Sequence, residues 1–197
     1  MGNKESPAPP RVALHATRTS IRPFEPTDAA PLFELRARNH DFFSPYEPTS
    51  AFVAATLEEQ AARLEAERAE WEADKGYAFG VFDRATGELV GRVALSHVAR
   101  GALQNAVLGY YVDRERNGNG YATEATRLAV GFAFAHAGLH RVQAGVMPRN
   151  ERSIRVLEKA GFRYEGTSPR YLEIKGVWED HAMFALTREE WTDDGVT

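Results

Sequence analysis

The 197-residue sequence contains no cysteine. This absence excludes disulfide bonds, thiolate zinc sites and cysteine nucleophiles, and it suits a protein of the reducing cytoplasm. The sequence also lacks any apolar run near the roughly 18 residues that span a bilayer, so we expect no membrane partner. The formal net charge of -4 argues against nucleic acid as a partner, because phosphate backbones bind to concentrated basic surfaces.

The N-terminal stretch "MGNKESPAPP" is polar and lacks the apolar core of a signal peptide. We therefore predict a disordered tail over residues 1–10 and a single domain over residues 11–197. With 43% hydrophobic residues, a chain of this length buries a core large enough to fold without disulfides or metals. No metal site is predicted.

The first half of the domain is predicted to contain one short strand and two helices. The strand ends near Arg22, and the helix that follows runs to about Arg38. The segment "NHDFFSPYEP", residues 39–48, is predicted to be an aromatic-rich loop. A longer helix is predicted from Ser50 to about Asp74, with apolar residues along one side and charged residues on the other.

The second half alternates between strand and helix signals. A helix is predicted from Gly120 to Ala137, and a second helix is capped by Asn150 and ended by Gly161. Further strands close the sequence. This order predicts an α/β (α+β) domain whose first strands pair as antiparallel hairpins and whose later strands alternate with helices. The main strands are predicted at "YAFGVFD", "ELVGRVALSHV", "LQNAVLGYYVD" and "RVQAGV".

The segment "RNGNGYATEA", residues 116–125, places two glycines directly before a predicted helix. Main-chain N–H groups in such a turn converge on one concavity, and the helix dipole adds partial positive charge there, so the turn can bind phosphate without basic side chains. A P-loop does not fit because no lysine follows the glycines. A Rossmann turn does not fit because Thr123 stands where its third glycine belongs. A tight turn without a ligand remains the alternative on these residues alone.

The run from Leu108 to Phe162 resembles the coenzyme A core of the GNAT superfamily of N-acetyltransferases. In that family a splayed strand precedes a Gln/Arg-x-x-Gly-x-Gly/Ala loop that opens a helix, and residues 117–122 occupy this loop here. Gly120 and Ala122 match the pattern. Asn117 departs from it, since the usual residue is Gln or Arg, and this puts one side-chain contact in doubt.

The resemblance implies a single GNAT-type domain that uses acetyl-CoA. Its expected fold is a mixed central sheet with a splayed parallel pair at the centre, flanked by helices. Main-chain amides of the splayed strand are expected to bind the pantetheine arm and to stabilise the oxyanion that forms on the acetyl carbonyl. The implied cofactor-binding residues are Tyr110, Tyr111, Val112, Asn117, Gly118, Asn119, Gly120, Tyr121, Ala122, Thr123 and Asn150.

Two residues are catalytic candidates under this resemblance. Many family members place a tyrosine where Leu157 stands here, whereas RimJ/RimL-like members place a serine at the position of Ser153. Ser153 is therefore expected to donate a proton or a hydrogen bond to the departing thiolate; a serine that only satisfies the first helical turn is the alternative. Glu47 is the candidate base. Alternatively, Glu47 orients the substrate or binds a loop amide. The adjacent residues Asp180 and His181 are a further candidate for the base. Alternatively, they form only a hydrogen-bonded pair at a strand edge.

The segments "NHDFFSPYEP", "SHVARG" and "GVWEDHAMFALTREEW" extend the resemblance to the RimJ/RimL group, which acetylates the α-amino group of ribosomal proteins. An α-amine has a pKa near 8 and a lysine near 10.4, so roughly a tenth of an α-amine is neutral at pH 7 and little base catalysis is needed. The expected partner is an acceptor peptide N-terminus, for example that of a ribosomal protein. Two alternatives to this function remain open: acetylation of a small amine such as an aminoglycoside or polyamine, and non-catalytic binding of acyl-CoA. The sequence is also compatible with either a monomer or a homodimer.

Overall fold

Eight strands form one mixed sheet in the computed structural model, which describes residues 8–48 and 56–192. The strands are β1 (Leu14–His15), β2 (Thr19–Pro23), β3 (Tyr77–Asp83), β4 (Leu89–Ala99), β5 (Asn105–Val112), β6 (Arg141–Val146), β7 (Arg163–Ile174) and β8 (Val177–Thr187). The α-helices are α1 (Ala29–Arg38), α2 (His40–Phe43), α3 (Leu57–Glu72), α4 (Tyr121–Ala135) and α5 (Glu151–Lys159). Short 3-10 turns precede α1 at Pro26–Asp28 and follow β5 at Arg114–Arg116.

The strand order across the sheet is β1-β2-β3-β4-β5-β6-β8-β7. Every neighbouring pair is antiparallel except β5 and β6, which run parallel because α4 carries the chain back to the same edge. The predicted mixed sheet, with hairpins first and one parallel pair at the centre, is confirmed. No helix within residues 8–48 and 56–192 is long and apolar enough to cross a bilayer.

The first half of the chain differs from its prediction in two places. Residues 40–43 of the expected aromatic loop form the short helix α2, which starts directly after α1. The described part of α3 starts after Thr56, whose Oγ1 accepts a hydrogen bond from the Glu59 N–H at 3.2 Å. Ser50, the predicted start of this helix, and residues 1–7 of the predicted tail lie outside the described residues.

Helices cover the two faces of the sheet unequally. On one face, here called the α4 face, α4 packs over the strands and α5 packs beside α4, through buried residues such as Leu128, Phe132 and Leu157. On the other face, here called the α1 face, α1 and α3 pack over β3 and β4. Gly109, in the middle of the central strand β5, is exposed on the α1 face. The sheet is therefore open on this face at β5.

The parallel pair is joined only at one end. Three residue pairs form the ladder, of which the last joins Val107 to Gln143. Beyond these pairs β5 continues to Val112 and β6 to Val146. The two strands therefore diverge in the direction of the Gly118–Gly120 turn, and the gap between them exposes main-chain groups that a sheet would otherwise pair.

Candidate active site

The turn between β5 and α4 forms a main-chain cradle at residues 117–123. Gly118 and Gly120 have φ values of 82° and 90°, a left-handed conformation that strongly favours glycine. A Cβ built on Gly118 would meet nothing within 4 Å, so the turn is open on that side. Gly120 is the N-cap of α4 and no side chain caps this helix. The first helical bond is donated by the Glu124 N–H to the Gly120 carbonyl at 3.0 Å, so the three preceding N–H groups are available to an anion.

Two side chains within the turn fix its conformation. Asn117 donates from Nδ2 to the carbonyls of Val112 and Asp113 at 3.2 and 2.9 Å, and thereby ties the turn to the end of β5. Tyr121 donates its hydroxyl to the buried Asp83 at 2.6 Å. Asn117, which the sequence assigns to cofactor binding, thus uses its amide to hold the cradle in shape.

Arg18 fixes the cradle from outside it. The Arg18 guanidinium donates to the Asn119 carbonyl and, through Nε, to Glu124 Oε1 at 2.9 Å. The ion pair neutralises a carboxylate in the first turn of α4, where its charge would repel a bound phosphate. Arg18 and Glu124 are 106 positions apart, and no local pattern in the sequence indicates this contact.

Two further guanidinium groups lie near the end of β5. Phe42, from α2, has the Cζ atoms of Arg114 and Arg152 each 6.0 Å from its ring centroid. Neither arginine forms an ion pair with any other residue in the part of the chain that the structure describes. They therefore place uncompensated positive charge in the region between the cradle and the start of α5. This charge favours anion binding there.

The register of β5 decides which main-chain groups face the gap between β5 and β6. The Asp113 N–H donates to the Val90 carbonyl of β4 at 2.8 Å. Main-chain direction alternates along a strand, so the groups of Tyr111 also face β4. The groups of Tyr110 and Val112 face the gap. Of the three residues expected to bind pantetheine through the main chain, two are thus placed to do so, while Tyr111 pairs with β4.

The first turn of α5 contacts β5 through its side chains. Asn150 caps the helix by accepting a hydrogen bond from the Ser153 N–H at 3.3 Å, as predicted. The Tyr110 hydroxyl lies 2.8 Å from Ser153 Oγ and 3.1 Å from the Ser153 carbonyl. Burial raises the pKa of Tyr110 above its ordinary value. No local pattern in the sequence indicates a role for this tyrosine side chain, because the contact joins residues 43 positions apart.

The α1 face is open over the exposed Gly109, where a Cβ would meet nothing within 4 Å, and this opening is here called the cleft. One side of the cleft is the Tyr111 ring, with the Arg36 guanidinium 5.0 Å from its centroid. Arg36 is buried and donates to both carboxylate oxygens of Glu47, at 3.0 and 2.9 Å. Glu47, predicted as a base, is therefore engaged through both oxygens. This geometry favours the alternative in which Glu47 orients its neighbours.

His181 lies on the other side of this cleft. The imidazole is buried, and its Nδ1 is 3.0 Å from the Glu179 carbonyl. A carbonyl only accepts, so Nδ1 carries the proton and Nε2 of the neutral ring is an acceptor. A Cβ on Gly145, in the diverging part of β6, would be 3.6 Å from His181 Cδ2. Asp180 does not bond to His181, because adjacent strand residues point to opposite faces; it accepts from the Arg170 N–H at 2.8 Å.

The β7–β8 turn reaches across to α2 and encloses the cleft. Lys175, in this turn, donates from Nζ to Ser44 Oγ at 3.0 Å. Arg149, from the loop before α5, forms a two-pronged ion pair with Glu179 at 2.8 and 2.9 Å. The cleft therefore has a rim made of the α2 end, the β7–β8 hairpin and the β6–α5 loop, with Gly109 at its base.

Asp113 links the end of β5 to the end of α1 through its side-chain hydrogen bonds, and its charge should make the stability of this junction depend on pH. Burial alone would raise the pKa of Asp113, but hydrogen bonds from Arg38 at 2.6 Å and from Asn39 at 3.1 Å outweigh it and lower the pKa below its ordinary value. A lowered native pKa stabilises the fold above the unfolded pKa of about 3.9, and this stabilisation is lost as pH falls through the native pKa.

We expect Asp113→Asn to be less stable than the unchanged protein by about 2 kcal/mol at neutral pH, because charge-assisted hydrogen bonds are lost. The difference should shrink as pH falls below the ordinary aspartate pKa. Urea unfolding at a series of pH values measures it. A difference that stays constant down to the lowest pH would mean that the Asp113 charge does not stabilise this junction.

Comparisons with known proteins agree with this geometry. Residues 18–163 match the family model described as an acetyltransferase (GNAT) domain. The chain is 45% identical over 166 residues to a probable N-acetyltransferase, YjcK, of Bacillus subtilis, covering 84% of this chain and 92% of that protein. It is 33% identical to the [ribosomal protein uS5]-alanine N-acetyltransferase of Escherichia coli over 93% of this chain and 94% of that one.

Among solved structures, Mycobacterium smegmatis RimJ in complex with CoA-disulfide superposes with a TM-score of 0.86 at 32% identity. The match covers 91% of this chain and 89% of that chain. The likeness therefore extends over about nine-tenths of this chain.

Proposed function

Because the chain belongs to the GNAT family of N-acetyltransferases, whose members use acetyl-CoA, we propose that it transfers an acetyl group to the N-terminal α-amino group of a protein, with a ribosomal protein as the first candidate. The observation that carries this proposal is the cradle of free N–H groups beside a gap between two diverging parallel strands. The alanine N-acetyltransferase of Escherichia coli, which acts on ribosomal protein uS5, supports the choice of acceptor.

The chain's own main-chain groups are the proposed holders of acetyl-CoA. The N–H groups of residues 118–123 would bind the diphosphate, and Arg114 and Arg152 would contribute positive charge beside it. Tyr110 and Val112 present main-chain groups to the gap, where the pantetheine arm would lie. When bound, the cofactor supplies an acetyl thioester, and an N–H directed at its carbonyl would stabilise the oxyanion.

The acceptor amine is proposed to enter through the cleft on the α1 face. Gly109 leaves room at the base of this cleft, and His181 presents Nε2 as the acceptor for a proton of the attacking amine. Glu47 keeps a positioning role: with Arg36 it holds the Tyr111 side of the cleft. Ser153 is the proposed hydrogen-bond donor to the departing thiolate.

Incubation with acetyl-CoA and a panel of acceptors tests this function. We expect acetylation of peptides that start with alanine or serine. The same peptides with a blocked N-terminus and an internal lysine should give at least about 100-fold less product, because roughly 1 in 2,500 lysine side chains is neutral at pH 7. Mass spectrometry locates the added group. Acetylation of polyamines or aminoglycosides without any peptide product would contradict the protein-acceptor proposal.

A further inference from the structure

The side chains of Tyr110 and Ser153 meet between β5 and the first turn of α5, and Tyr110 has no side-chain role in the function proposed above. We propose that the two hydroxyls act as one hydrogen-bonded pair that donates to the coenzyme A sulfur when the thioester breaks, with Tyr110 positioning the proton of Ser153. This inference rests on the proposed function. It makes Tyr110 a positioning residue for the reaction, although the sequence pattern at Tyr110 indicates only an ordinary strand tyrosine.

The geometry of the pair limits where its two protons can be. A carbonyl only accepts, so in the 3.1 Å contact Tyr110 donates to the Ser153 carbonyl. The Ser153 proton is then free to point at the tyrosine oxygen. When Tyr110 donates to Ser153 Oγ across the shorter 2.8 Å contact, the serine proton must point elsewhere. In this second arrangement the serine proton is directed away from Tyr110 and can be donated to a ligand in the gap.

Tyr110 is suited to remain a donor throughout the reaction. Its ring packs against the core of the α4 face, and burial raises the pKa of its hydroxyl, an effect that the Ser153 contact opposes only in part. The hydroxyl is therefore protonated at neutral pH. The tyrosine does not give up its proton, and its contribution is a hydrogen bond.

The position of Ser153 favours negative charge near its hydroxyl. Ser153 is the third residue of α5, a nine-residue helix whose N-terminus carries partial positive charge. Asn150 already satisfies the Ser153 N–H, so the hydroxyl is the remaining donor of this residue. A hydrogen bond to an ionised acceptor is stronger than one to a neutral acceptor. The pair should therefore bind a thiolate more tightly than a thiol.

The atoms and charges of the step balance without an extra reactant. The amine nitrogen forms a bond to the acetyl carbon, the carbon–sulfur bond breaks, and the electron pair stays on sulfur. The nitrogen releases one proton to His181 or to water. One proton is later taken up by sulfur from solvent. The hydroxyl pair lowers the energy of the thiolate while it exists and keeps both of its own protons.

Binding of coenzyme A and of desulfo-coenzyme A, which lacks the thiol, tests the pair without any turnover. At a pH above the ordinary thiol pKa of about 8.5, the unchanged protein should prefer coenzyme A by about tenfold, because one charge-assisted hydrogen bond is worth about that ratio. Tyr110→Phe and Ser153→Ala should each lose the preference. The double variant should lose no more than either single one, because the pair acts as a unit.

Tyr164→Phe is the matched control, because it removes a hydroxyl from an exposed tyrosine on β7; it should keep the full preference. A Tyr110→Phe protein that folds and still prefers coenzyme A by tenfold would overturn the inference while leaving the proposed function intact. Should Tyr110→Phe not fold, retention of the preference by Ser153→Ala would overturn it equally. An unchanged protein that binds neither molecule would instead refute the proposed function, and the inference with it.

Discussion

Gly120→Val is expected to weaken coenzyme A binding by at least about 100-fold, since at least two hydrogen bonds to a charged diphosphate are lost. Gly120 has a φ of 90°, and a β-branched side chain does not adopt that conformation without strain. The first turn of α4 would have to rearrange, and the N–H groups of residues 118–123 would no longer converge. Isothermal titration calorimetry with coenzyme A measures the effect.

Gly101→Val is the matched control for that substitution. Gly101 has a φ of 68°, a Cβ there would meet nothing within 4 Å, and it lies in the turn before β5, at the opposite end of that strand from the cradle. Both variants therefore carry backbone strain of about 1–2 kcal/mol. We expect Gly101→Val to lower stability and leave coenzyme A affinity unchanged. Equal losses of affinity in the two variants would mean that strain, and not the cradle, explains the result.

His181→Asn is expected to lower the turnover number with a peptide acceptor by about 100-fold, the low end of the range for removal of a general base. The asparagine amide nitrogen can replace Nδ1 as the donor to the Glu179 carbonyl, which His181 contacts at 3.0 Å. The variant therefore removes Nε2 with little disturbance of β8. Coenzyme A affinity should not change, because His181 lies on the cleft side of the sheet.

His140→Gln provides the comparison for that variant. His140 is exposed and pairs with Glu189 at the far end of β6, so its replacement should leave turnover unchanged. Thermal unfolding of both variants separates loss of chemistry from loss of fold. Turnover within twofold of normal for a folded His181→Asn protein would exclude His181 as the base, and water would then be the acceptor of the amine proton.

The opening of the parallel pair gives the two proposed ligands room to meet. The cofactor is proposed to lie in the plane of the sheet, where β5 and β6 have no ladder beyond Val107 and Gln143. The acceptor is proposed to approach from the α1 face, where Gly109 and Gly145 carry no side chain. In this arrangement the amine would reach a thioester whose sulfur faces α5 on the opposite side. Attack by the amine and departure of the thiolate would then take place on different sides of the sheet.

Features with local signals could be predicted from the sequence. The two glycines of the cradle, the Asn150 cap and the alternating strands depend on neighbours a few residues away, and the structure confirms their local geometry. Glycine at a left-handed φ and asparagine at a helix N-cap have direct conformational causes.

Contacts between distant residues could not be predicted in the same way. The Arg18 contacts with the cradle and the Tyr110–Ser153 pair each depend on the register of several strands and on the rotation of one helix. The same applies to Glu47, which has the residue type of a base but is bound by Arg36 through both oxygens. A sequence shows which residues have suitable chemistry, and the packing decides which of them are already engaged.

A crystal structure with bound coenzyme A would show whether the cradle binds the cofactor. We expect the diphosphate oxygens to lie within hydrogen-bond distance of main-chain N–H groups in the 118–123 segment, and the pantetheine arm to follow the gap between β5 and β6. A complex in which this turn makes no contact with the cofactor, while the cofactor binds elsewhere on the protein, would contradict this expectation.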